Sequence, residues 1–460
     1  MLPLLLLPLA QAAPTRLPPE KPAATVWETG RSDARVIVKL AEGTEGTPTL
    51  EGATIHPLFP RDPAILRAER KRVDPEGRLA DLTLYYVVEV APGAGPAAAD
   101  AFNAEPWVEI AYLAFLPQPP PQDIPPTTPD FTGQQGYLGP APGGFGIDEA
   151  ARWPGGDGAN VAIADLEYGW ETGHEDLARV DAATTWGLDT DQYRFHGNGV
   201  LGILLAGVNG YGVDGMVPEA DPVVIYPYTP EGEYNLPAAI NGGVAMLDPG
   251  DVLLIEQQIV AEGDYAPVEA DPATFDAIAL AVAAGVVVVE PAANGGQDLD
   301  HNKWEGWFDR GLRDSGAILV GGGASPASPD QDARTWVRYG SCYGARVDVQ
   351  GWYDFAIAST INGDVPSLAD LYYPDGDSAQ AYTASFGGTS GASPQVAAVA
   401  AIAQSVSIAL RGEPFDPLTL RALMVSTGTP QPNDADGEAP AQHIGPQPDL
   451  RRLLRVGLLP

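Results

Sequence analysis

Between residues 160 and 323, short apolar runs alternate with helical patterns, and this order constrains the fold more than any other feature of the chain. The strand-like runs are NVAIAD (160–165), PVVIYPY (222–228), DVLLIEQQ (251–258), VVVVE (286–290) and AILVGGG (317–323). Between them lie GVLGILLAGV (199–208), AAINGGVAML (238–247) and TFDAIALAVAAG (274–285), which read as buried helices. The strand runs are apolar on both faces, so both faces need cover. Repeated β-α-β order then gives an α/β fold, a parallel β-sheet covered by helices on both faces. Functional groups in such sheets lie outside the carboxyl ends of the strands.

The 460 residues allow more than one domain. At the N-terminus, MLPLLLLPLAQAA reads as a signal peptide over 1–12, with Ala10 and Ala12 as the small-x-small site. Residues 13–116 form a small α+β unit, with strands at 34–40, 82–90 and 108–115 and a short helix within 95–107. LPQPPPQDIPPTTPD follows, and its prolines forbid a helix or central strand, so 117–130 is an extended linker. The main domain is 131–460. The net charge of −36 with four lysines argues against nucleic acid and anionic membrane, which need clustered Lys and Arg, and neither is expected as a partner. The longest uncharged apolar run, 277–289, is too short to span a bilayer. Cys342 is the only cysteine and reads as an ordinary buried residue; no intrachain disulfide or zinc-cysteine cluster is available.

Four polar residues follow strands or open helices. Asp165 closes VAIAD, His196 precedes Gly197-Asn198-Gly199 and a buried helix, Asn294 follows GVVVVEPAA, and Ser390 stands in FGGTSGASPQVAAVAAIAQ. Each has a plain reading alone: a turn or cap aspartate, a capping histidine, a turn asparagine, and a helix start with Thr389, Ser390 or Ser393 as N-cap and Pro394 in the first turn. Together they supply a carboxylate, an imidazole, an amide and a hydroxyl in the order Asp, His, Asn, Ser. That is the chain order of the subtilisin form of the Ser-His-Asp triad.

The chain resembles the subtilisin-like serine proteases (peptidase family S8). VAIADLEYGWETGHEDL is similar to the family's aspartate motif, HGNGVLG to its histidine motif, GVVVVEPAAN to its asparagine block and GTSGASPQVA to its serine motif. The resemblance runs from about Gln134 to the C-terminus. It implies that Ser390 is the nucleophile, His196 the general base, Asp165 the residue orienting the imidazole and Asn294 the oxyanion donor. It implies a secreted endopeptidase acting on proteins or peptides, with no cofactor needed for the chemistry. The α+β unit would be an inhibitory prodomain, itself a partner of the main domain.

Departures from the family pattern are visible. Asn198 and Gly199 replace the threonine and second histidine of the histidine motif. Leu166-Glu167 replaces the small pair after the aspartate, which leaves the orientation of the Asp165 carboxylate open. The substrate-pairing segment corresponds to IEQQI, making Glu256, Gln257 and Gln258 candidate substrate-binding residues, and Glu290 adds a charge expected near the same groove. Those charges suggest a preference for basic side chains. The family's structural calcium would fall on Asp176 and Asn209, with Asp298 and Asp300 as further oxygen donors; solvated turn residues are the other reading of all four. The altered groove also motivates an alternative function, a catalytically inactive homologue serving as a secreted binding or scaffold protein.

Overall fold

The computed structural model describes residues 16, 18–28, 30–116, 128–180, 183–328, 340–360, 371–373, 377–433 and 440–459. The signal segment 1–12 and most of the linker 117–130 lie outside the described residues.

The N-terminal unit consists of β1 (Arg31–Leu40), β2 (Thr54–Pro57), α1 (Pro63–Val73), β3 (Tyr85–Glu89), α2 (Gly95–Asn103) and β4 (Val108–Phe115). Its strands form an antiparallel sheet in the order β2-β3-β1-β4. Alternate residues of a strand face opposite sides. Val36, Val38 and Leu40 accordingly pack with Ala98, Ala99 and Phe102 of α2. Ile37, Val87, Ile110 and Tyr112 face the other way, into the main domain.

The main domain begins with α3 (Ile147–Ala150), β5 (Ala162–Leu166), β6 (Thr184–Trp186), α4 (Arg194–Leu205), β7 (Asp221–Ile225), α5 (Leu236–Val244) and β8 (Val252–Ile255). A hairpin of β9 (Gln258–Ala261) and β10 (Asp264–Pro267) follows, then α6 (Pro272–Ala283), β11 (Val287–Pro291), β12 (Ile318–Gly323) and β13 (Val349–Trp352). The hairpin β14 (Ala356–Thr360) and β15 (Ala381–Phe386) leads into α7 (Thr389–Arg411), α8 (Pro417–Thr427) and α9 (Leu450–Leu458).

Seven strands form one parallel sheet in the order β13-β12-β11-β8-β5-β7-β6. Period two divides their side chains between two cores. Ile163, Val252, Leu254, Val287 and Val289 pack with α4 and α7. Ala164, Leu253, Ile255, Val288 and Leu319 pack with α5 and α6. The second core is continuous with the outer face of the N-terminal sheet, which lies across α5 and α6. Polar contacts fix this docking. Arg16 reaches Asp276 at 3.2 Å, the Tyr85 hydroxyl donates to Asp276, and the Asn235 amide donates to the Leu58 carbonyl at 2.7 Å. α7 is long and apolar enough to cross a membrane by length and composition, and it is the buried central helix of the main domain.

The helix at 389 starts earlier than its apolar run suggests. Gly388 is the N-cap and offers no side-chain bond, so Pro394 falls in the second turn and not the first. The reason is that Ser390 itself occupies the first turn.

Candidate active site

The strand-to-helix turn places Ser390. β15 ends at Phe386, and Gly388 turns the chain with φ 77° before α7 begins. A Cβ at Gly388 would stand 3.1 Å from the Asn294 side-chain oxygen, so the glycine admits a close approach as well as the backbone angle. Asn294 Oδ1 accepts the Thr389 N–H at 2.9 Å and the Thr389 hydroxyl at 3.3 Å. Thus Asn294 caps α7 from a distant part of the chain. Its oxygen is engaged there, and its Nδ2 donor remains available. The Ser390 N–H belongs to the first helical turn, whose donors have no intrahelical acceptor. An amide side chain and a first-turn N–H therefore stand together beside a serine, as an oxyanion site requires.

His196 lies in the first turn of α4 and is buried. Its Nδ1 is bonded to Glu167 Oε2, and its Nε2 has no hydrogen-bond partner. Asp165 makes no hydrogen bond to the ring. Its Oδ2 accepts the Trp170 indole N–H at 2.7 Å, and its Oδ1 has no partner. The structure thus brings the expected aspartate to the site but gives its orienting bond to Glu167. The reason is local. Asp165 and Glu167 are two residues apart along an extended chain, so both face α4 and α7. Glu167 lies just past the last residue of β5, and its longer side chain spans to the imidazole. Its other oxygen accepts the Tyr168 N–H at 2.6 Å, so both oxygens are satisfied. Burial and the Glu167 charge raise the Asp165 carboxyl well above the usual carboxylate range. The Asp-x-Glu spacing was the sequence signal for this residue.

The two departures in the histidine motif have a packing account. A Cβ at Gly199 would meet the Phe386 ring at 2.4 Å, so the aromatic ring fills the space a second histidine needs. Phe386 packs edge-on against His196 with ring centres 5.6 Å apart. Asn198 accepts the Glu171 N–H at 2.7 Å and donates to its carbonyl at 3.2 Å, clamping the loop after Trp170.

Glu256, Gln257 and Gln258 do not line a groove with free side chains. Glu256 and Gln257 are buried. Strand alternation turns Glu256 toward α7, where its Oε1 meets the Ser393 hydroxyl. The Gln257 amide folds back on the Glu256 carbonyl at 3.0 Å, and Gln258 accepts the Asn294 N–H at 2.9 Å. Gln258 therefore holds the backbone of Asn294 in place. Glu290 also departs from expectation. It belongs to the α5 and α6 face of the sheet, away from Ser390, where burial and Glu269 raise its carboxyl well above the usual range. Beside it, Arg346 pairs with Glu269 at 2.6 Å and with Asp348 at 2.8 Å, fully buried.

The calcium expectation is not met by the donor set. Asp176 accepts the Asn209 amide at 2.7 Å and the Val213 N–H at 2.9 Å. Asn209 Oδ1 is held by the Tyr211 N–H at 3.0 Å, which fixes the amide with its nitrogen toward Asp176. N–H groups therefore point where a cation would need oxygens, and the residues do not fit one. Asp298 and Asp300 likewise accept backbone N–H groups, of Asp300 and Ala345. Cys342 is buried, and burial pushes its thiol up to about 11, as expected of an inert cysteine.

Comparisons with known proteins bear on the family and the fold. The family model described as the subtilase family, Peptidase S8, matches residues 157–445. No curated protein matches the chain. Among solved structures, fervidolysin from Fervidobacterium pennivorans, a keratinolytic enzyme related to subtilisin, aligns at 15% identity with a TM-score of 0.58, over 98% of this chain and 66% of its own. A protease from Pseudoalteromonas arctica aligns at 19% identity with a TM-score of 0.50, over 71% of this chain and 98% of its own. At such identities the two structures speak for the fold alone.

Proposed function

The chain belongs to the subtilase family, and on that premise we propose that it is a secreted serine endopeptidase working through an acyl-enzyme. The observation that carries this reading is the His196 imidazole bonded through Nδ1 to a buried carboxylate. A serine hydroxyl is too weak a nucleophile alone and needs a base held in one tautomer. Glu167 fixes the proton on Nδ1 and leaves Nε2 as the base. Ser390 Oγ attacks the peptide carbonyl while Nε2 takes its proton. The imidazolium formed is stabilised by Glu167 and then protonates the leaving amine. Asn294 Nδ2 and the Ser390 N–H hold the oxyanion. Water, deprotonated by His196, releases the acid product.

The N-terminal unit is an inhibitory prosegment in this reading, docked on α5 and α6 and joined by a proline-rich linker that self-cleavage would sever. One observation favours the inactive-homologue alternative: His196 Nε2 has no hydrogen-bond partner. Catalytic hydrogen bonds often tighten only with substrate bound, so the endopeptidase reading is the better supported. The experiment is intact mass of wild type and Ser390→Ala after secreted expression. Loss of about the first quarter of the chain in wild type alone is expected. Full-length protein in both, with no labelling of wild type by a serine-directed phosphonate probe, would establish the inactive homologue.

A further inference from the structure

Glu256 stands under the nucleophile in a chemical state that can be counted from hydrogen bonds. It follows β8 at the carboxyl end of the sheet and is 4% exposed. Its Oε1 touches Ser393 Oγ, and that same hydroxyl lies 2.8 Å from the Thr389 carbonyl. Ser393 has one proton for two acceptors. Both contacts are full two-centre hydrogen bonds, rather than one Ser393 proton shared between two acceptors, when Glu256 supplies the second proton, donating to Ser393 Oγ while Ser393 donates to Thr389. The other Glu256 oxygen is buried without a partner. Glu256 has no ion-pair partner among the described residues. Burial, with the charges of Asp165 and Glu167, raises its carboxyl well above the usual range, while the Ser393 and Ser390 hydroxyls oppose that rise.

We propose that Glu256 is a positioning residue that works as a neutral carboxylic acid. Its proton locks Ser393 and the first turn of α7, and its neutrality keeps a second negative charge away from the oxyanion. The groups facing it are Asp165 in β5, Glu167 just past it, and Ser390 and Ser393 on α7. None is a cation, so ionisation of Glu256 would add charge beside the developing oxyanion. This inference rests on the serine-protease reading.

The test is the pH dependence of Ser390 acylation by the phosphonate probe, in wild type and Glu256→Gln. Glutamine keeps the shape and a donor for Ser393 but cannot ionise. Wild type should lose reactivity about tenfold per pH unit above the ionisation of Glu256. In the variant, whatever its plateau, that alkaline limb should be absent or moved up by more than about one pH unit. Identical limbs would overturn the proposal, as would a wild type flat into the alkaline range. No labelling of either protein at any pH would instead defeat the serine-protease reading, and the inference with it. Should Glu256→Gln not fold, carboxyl carbon-13 NMR of the Ser390→Ala, Glu290→Gln chain decides. One glutamate must keep its proton at neutral pH; ordinary titration of all of them would overturn the inference.

Discussion

At the residue scale, the centre differs from the family pattern in which carboxylate meets the imidazole. Glu167 holds His196 Nδ1, and Asp165 is held by Trp170. The two roles separate by mutation. Glu167→Gln removes the charge that stabilises the imidazolium and lets either tautomer form, so kcat should fall by about 10³–10⁴. Asp165→Asn keeps an oxygen for the Trp170 N–H, and kcat should fall by less than about tenfold, the scale of losing one peripheral interaction. Peptide hydrolysis by both variants at one pH checks this. A larger loss in Asp165→Asn would return the orienting role to the aspartate. Much of this centre was legible in the sequence, because Ser390, His196 and Asn294 stand in local motifs with fixed backbone demands. The partner of His196 was not, because a two-residue step along a strand leaves two carboxylates on one face and only side-chain length decides between them.

At the element scale, α5 and α6 serve two purposes. They cover one face of the parallel sheet and present their outer surface to the N-terminal sheet. Asp276 on α6 is the buried polar anchor of that contact, taking Arg16 and the Tyr85 hydroxyl. In the Ser390→Ala chain, Asp276→Ala should remove one of the two carboxylates that hold the buried Arg16 guanidinium, leaving Glu109, and loosen the docking by about 1.5–3 kcal/mol. Faster hydrogen exchange in β1 and β3, with exchange in β11 and β12 unchanged, is the expected result. Equal protection in both chains would mean the apolar face alone holds the unit. Five of the seven parallel strands were readable as continuous apolar runs, while the short β6 and β13 at the two edges of the sheet were not, and β4 matches the expected 108–115. The elements missed were those without such runs. α1 reads PAILRAERKRV and buries only Leu66, and β2 is four residues at the edge of its sheet. The Glu256 and Glu290 side chains were misassigned for one shared reason: each closes an apolar strand, and the face it takes follows from a register that one sequence does not state.

At the scale of the whole molecule, buried carboxyls give stability a pH dependence whose sign can be worked out. Burial, with neighbouring carboxylates, raises Asp165, Glu256 and Glu290, and burial pushes Asp176 up to about 6. Each binds its proton more tightly folded than unfolded. Between the ordinary carboxylate range and the raised value the folded state holds the extra proton, so stability rises as pH falls through that window. Groups acting in the opposite direction include His174, which burial pushes down to about 4 and whose contribution fades as pH falls from the ordinary imidazole range toward that value, together with the carboxylates Asp314 and Glu269. Burial alone would raise Asp314 and Glu269, but Arg421 and Arg346 hold them below the ordinary range. Their contribution is complete above that range and is lost only as pH falls through the depressed values. The net charge of −36 adds self-repulsion at neutral pH that relaxes on acidification. The Ser390→Ala chain should therefore melt higher at about pH 5 than at about pH 8, and lose stability again only in strong acid. Calorimetry at fixed ionic strength checks this, and a midpoint that is flat or higher at the alkaline end would refute it. Salt separates the causes, since it screens surface repulsion but leaves the buried protons in place. Glu290→Gln isolates one of them: glutamine needs no proton to be buried, so the slope between those two pH values should flatten while the acid limb set by Asp314 and Glu269 stays where it was.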